Sequence, residues 1–77
     1  MVNASQIRAA RGWLNLSQDE LATATGVAKR TIVRIENGMP AQERTLRDIR
    51  LALEKEGIEF LFDGSLGVGV RIRQGPA

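Results

Sequence analysis

Stop signals recur along this chain at a spacing that forbids long helices. Asn15, Gly26, Asn37-Gly38 with Pro40 behind them, and Gly57 each favour a left-handed or helix-terminating residue. The segments between them are therefore short, and each must bury its apolar stripe against the others. Asn3 or Ser5 caps the first, whose apolar positions Ile7, Ala10 and Leu14 recur at three and four residues, with Gly12 and Asn15 marking its end. Ser17-Gln18-Asp19-Glu20 opens the second as a capping box, the Ser17 hydroxyl and the Glu20 carboxylate each accepting from an orphan first-turn amide. A third helix is expected over about Ala28 to Glu36, ending at Asn37-Gly38. A fourth is expected over about Glu43 to Glu56, with Leu46, Ile49, Leu53 and Ala52 inward.

After Gly57 the apolar period falls from helical to alternating. Ile58, Phe60 and Phe62 oppose Glu59, Leu61 and Asp63. Val68, Val70 and Ile72 oppose Arg71 and Arg73, and Asp63 to Gly67 reads as the loop of a hairpin. The chain thus divides into a helical domain, 1–57, a β segment, 58–73, and a loose tail, 74–77. The glycines from Gly64 to Gly69 do not form a phosphate loop, because neither the strand-to-helix context nor the Lys-Ser/Thr ending is present.

Composition then removes whole classes of chemistry. A chain of 77 residues makes one small domain, and 43% apolar with 26% charged residues is the balance of a folded one. With no cysteine and no histidine, zinc fingers, disulfide frameworks, Cys-His nucleophiles and Ser-His-Asp triads lack their parts. No metal, cofactor or enzymatic activity is expected. No stretch approaches the roughly 20 apolar residues of a membrane span, and Met1 to Gln6 carries no basic start before an apolar run. We expect a cytoplasmic, nucleoid-associated protein encoded by a bacterium or phage. The net charge is only +2, but it is unevenly placed. Between Lys29 and Arg50 six cations face Glu36, Glu43 and Asp48, an excess that suits a polyanion.

At about 100° per residue, Ala28, Thr31, Ile32 and Ile35 share one side of the third helix and Lys29, Arg30, Val33, Arg34 and Asn37 the other. Arg30 and Arg34, one turn apart, each present a fork that fits guanine O6 and N7 in a major groove. Lys29 adds a cation. Val33, read as exposed and without a core role, is either a contact for a thymine methyl or an incidental surface residue.

Arg8 to Gly12, Leu16 to Ala22, Gly26-Val27 and Ile32 to Gly38, at these mutual distances, resemble a known family over about residues 5 to 54. It is the helix-turn-helix domain shared by phage repressors, Cro proteins and restriction-modification controller proteins, of the xenobiotic-response-element type. The resemblance implies a mainly α, lambda-repressor-like fold of four short helices, here followed by a β-hairpin where many members have a fifth helix or a longer second domain. It also assigns roles: base readout to Lys29, Arg30, Thr31 and Arg34, and DNA-backbone contact to Ser17, Gln18, Gln42, Arg44 and Thr45. Asn37, on the presented side, is grouped with the backbone contacts. Arg11 and Glu36 are implied as a structural ion pair.

An isolated hairpin is marginally stable, so Ile58, Phe60, Phe62, Val68, Val70 and Ile72 need cover. Either the chain's own helices supply it or a second copy does. We expect the second copy, since a dimer sets two reading helices about 34 Å apart on a palindromic operator. The expected function is that of a sequence-specific regulator of transcription, a repressor or controller, with double-stranded DNA as partner. The alternative is an antitoxin-type module whose terminal strands bind a partner protein.

Overall fold

The computed structural model describes residues 1–73, so the expected tail at 74–77 lies outside the described residues. Capping boxes set the starts of the first two helices. In α1 (Ala4–Leu14) the N-cap is Asn3, whose side chain accepts from Gln6 N while Gln6 Oε1 accepts from Asn3 N, and Asn15 closes the helix at φ 57°. Ser17 and Glu20 form the corresponding box at the start of α2 (Gln18–Thr25), which Gly26 ends at φ 74°. A tight turn leads into α3 (Lys29–Glu36). Gly38, at φ 87°, lets the Met39 amide return to Arg34 O and turns the chain towards α4 (Glu43–Lys55).

The helices share one core with the hairpin. Ile7, Ala10, Leu21, Ile32, Ile35, Ile49 and Leu53 are buried together with Val2, Ile58 and Phe60. Burying side chains of this size is worth about 1.5–3 kcal/mol each, so the two residues from the hairpin are a real share of a small core. Strand β1 (Ile58–Asp63) lies against α4 and β2 (Leu66–Ile72) against α1, forming a two-stranded antiparallel sheet. Of the two surfaces that could cover the hairpin, the chain's own helices cover Ile58 and Phe60. These two are therefore not free to face a second copy, while Phe62, Val70 and Ile72 are half-buried beside the core and Val68 remains 57% exposed.

Two other details of the hairpin depart from the sequence reading. Its loop is only Gly64-Ser65, because Asp63 pairs with Leu66 and Gly64 takes φ 62° as the first turn residue. Leu61 pairs with Gly69 but Phe62 with Gly67, so Val68 is an extra residue in a β-bulge. That bulge breaks the expected parity of Val68 with Val70 and Ile72. It is held from below by α1. Gln6, fully buried, donates through Nε2 to Leu61 O at 2.9 Å and Gly69 O at 3.0 Å, while Asn3 Nδ2 donates to Gly67 O at 3.0 Å. A side chain on Gly67 would overlap the Gln6 amide, so only glycine allows this approach.

Candidate nucleic-acid interface

The proposed reading helix is held at both faces by different chemistry. Its inner face is apolar: Ile32 and Ile35 are buried. Its C-terminal end is held by ions. The Glu36 side chain is 3% exposed and its carboxylate accepts from Arg11 Nε and Nη2, both at 2.9 Å, and from Gln18 Nε2 at 3.2 Å. Arg11 also donates through Nη1 to Leu16 O at 3.1 Å. The Glu36 hydrogen bond, against a smaller opposing effect of burial, pushes the Arg11 pKa above the usual arginine value. Arg8, one turn earlier on α1, donates to the Glu36 backbone carbonyl and to Ser5 Oγ. Two arginines of one helix thus grip the side chain and the last carbonyl of α3. The i, i+3 spacing of Arg8 and Arg11 was the signal for this, but Arg8 has no counterpart in the sequence reading.

The outer face carries the cations. Arg30 and Arg34 are exposed, and neither is in an ion pair among the described residues. They border a groove of about 600 Å³ lined by Thr31, Ile35, Pro40, Ala41, Gln42 and Thr45 as well. This brings readout candidates Arg30, Thr31 and Arg34 beside backbone candidates Gln42 and Thr45. Gln42, exposed, is the N-cap of α4 and makes no side-chain capping bond, and among the described residues its amide has no partner. Arg44 is exposed but does not line the groove.

Other candidates sit differently from expectation. Lys29 is exposed, yet its Nζ lies 3.3 Å from the Asp19 carboxylate across the α2–α3 turn. Val33 is half-buried, and Ala28, placed on the packing side by its angle, is the exposed N-cap, because the helix begins one residue later. Ser17 is exposed and its Oγ accepts from Glu20 N at 3.0 Å, so it is engaged as a cap. Gln18 is half-buried with one amide hydrogen on Glu36, which ties it to the Arg11–Glu36 pair and leaves its second hydrogen for an outside acceptor. Asn37 is the exposed C-cap of α3.

Short α2, a glycine turn and α3 with its inner face buried and its cations outward form a helix-turn-helix. A helix-turn-helix family model matches residues 7–60, from α1 to Phe60 in β1. The chain belongs to this family. It is a DNA-binding regulator of transcription of the xenobiotic-response-element type found in phage repressors and Cro-like proteins. No curated protein matches the chain. The surface around α3 offers guanidinium and amide donors. Among the described residues no group of His, Cys, Asp or Glu could hold a metal ion, and no helix is long and apolar enough to cross a membrane.

Proposed function

We propose that the protein is a dimeric, sequence-specific repressor or controller that lays α3 in the major groove of a two-fold symmetric operator. The observation that carries this reading is the joint position of Arg30 and Arg34 on the exposed side of α3, free of ion pairs among the described residues and beside Gln42 and Thr45. Arg30 and Arg34 offer bidentate forks to guanine, and Thr31, half-buried at the groove, offers a hydroxyl at its floor. Val33 adds apolar contact from its exposed part. Gln42, Thr45, Arg44, Asn37, Ser17 and the free hydrogen of Gln18 take phosphate oxygens on either side, fixing the helix in register. Lys29 reaches the DNA by leaving Asp19, a modest exchange because the pair is exposed. Phe62, Val68, Val70 and Ile72 remain as the hairpin's contribution to a dimer, located in the cytoplasm.

Selection of bound sequences from a random duplex pool tests the reading, with a two-fold symmetric consensus expected. On that consensus Arg34→Ala lowers affinity by about 1–3 kcal/mol and relaxes preference at one base pair, whereas Arg44→Ala weakens binding to all duplexes alike and lowers the salt slope by about one. Equal loss on every sequence from Arg34→Ala refutes its role in readout.

A further inference from the structure

The hairpin leaves a strand edge whose self-complementarity identifies its partner. The Arg73 amide donates to Gly57 O at 2.7 Å, and Ile58 pairs with Ile72 and Phe60 with Val70. Antiparallel ladders alternate hydrogen-bonded and non-hydrogen-bonded pairs. Gly57–Arg73 is bonded, so Glu59–Arg71 is bonded too, and the pairs Ile58–Ile72 and Phe60–Val70 are not. The amide and carbonyl groups of Val70 and Ile72 consequently point away from β1, to the outer edge of β2. Among the described residues nothing bonds to them: the side-chain bonds from Asn3 and Gln6 end on Gly67 and Gly69.

Resting on the dimer reading above, we propose that this edge pairs antiparallel with β2 of a second copy, with the two-fold axis at Val70. Three observations select this arrangement. Centring on Val70 sets Val70 against Val70, Val68 against Ile72 and Arg71 against Gly69, so the one charge on the strand never meets its own copy. Gly69 has open space where a Cβ would stand, which receives the Arg71 stem, and Arg71 is already neutralised by Glu59 at 2.8 Å. A centre at Arg71 opposes two like charges, and a centre at Gly69 puts the bulged Val68 in the bonded pairs nearest the axis, whereas a centre at Val70 meets Val68 only in the outer pairs. On β1, Arg50 stands 5.3 Å from the centre of the Phe62 ring and pairs with Glu54. Pairing also covers Val68, otherwise 57% exposed.

The absence of cysteine makes a direct test available. Gly69→Cys and Arg71→Cys chains, one carrying a mass tag, are mixed, refolded together and oxidised. The arrangement puts residue 69 of one copy opposite residue 71 of the other in a non-hydrogen-bonded pair, with Cα atoms about 4.5 Å apart, inside the range a disulfide spans. Each variant alone leaves its cysteines diagonal, about 7–8 Å apart, so the mixed disulfide forms in large excess over either homodisulfide. Dominance of a homodisulfide, or no cross-link at all, overturns the proposal. A second variant guards against a damaged fold: Val70→Pro removes an outward amide while leaving the β1 ladder intact. It is expected to convert the dimer to a monomer in sedimentation with its helical circular dichroism kept, and a persisting dimer overturns the edge assignment. If the mixed disulfide fails while the wild type still selects a symmetric site, only the edge assignment falls. If it forms and no sequence is selected, the operator reading falls instead.

Discussion

Replacing Glu36 by Gln tests whether α3 is anchored through its carboxylate. The side chain is 3% exposed and accepts three hydrogen bonds, two from Arg11 and one from Gln18. An isosteric amide keeps one acceptor oxygen but turns the other position into a donor facing donors. It also leaves the Arg11 cation without its counter-charge. Removing one partner of a buried pair costs roughly 3–5 kcal/mol. Arg11 is 25% exposed, so water solvates part of its charge and the lower end, about 3 kcal/mol, is expected. For a domain of this size that lowers Tm by about 12–24 °C, against a total stability of about 5–10 kcal/mol. Urea and thermal unfolding followed by circular dichroism measure it. The double variant Arg11→Met/Glu36→Leu recovers much of the loss, because an apolar pair removes both desolvated charges together. A loss under about 1 kcal/mol for Glu36→Gln, or a double variant worse than the sum of the singles, refutes the anchoring argument. The pH dependence follows from Arg11. Its folded pKa is raised, so its stabilisation is fully present below the unfolded value and is lost only as pH rises through the folded one. Arg11 therefore contributes no fall in the urea midpoint between neutral and mildly alkaline pH.

Ser17→Ala removes the hydroxyl that accepts from Glu20 N and lowers stability by about 1 kcal/mol in urea unfolding, with Ser17→Asn restoring most of it. Gly67→Ala forces the Gln6 amide from its place and strands a buried donor, costing about 1–3 kcal/mol. Trypsin should then cut at Arg71 and Arg73 faster than in the wild type, with helix content unchanged. Asp19→Asn changes stability by less than about 0.5 kcal/mol, because its pair with Lys29 is exposed. It releases Lys29 to a phosphate, and a steeper dependence of DNA affinity on salt is the expected reading in a titration series.

Local chemistry made the helices legible in the sequence. Ser17 with Glu20, Asn15, Gly26 and Asn37-Gly38 act within a few residues of themselves, so the capping bonds they make do not depend on the rest of the chain. The cationic face of α3 was equally readable, since Arg30 and Arg34 need only a helix to stand one turn apart. Only the tertiary structure decided what depends on distant partners. Gln6 is buried because carbonyls 55 and 63 residues away accept its amide hydrogens, and Gln18 turns to Glu36, 18 residues on. The bulge at Val68 lies where Asn3 and Gln6, at the start of α1, bond to Gly67 and Gly69 on either side of it, and Ile58 and Phe60 are taken by the chain's own core because α4 stands directly beside β1. Alternation of apolar residues states that a strand has a face to bury, but the period is the same whichever surface buries it.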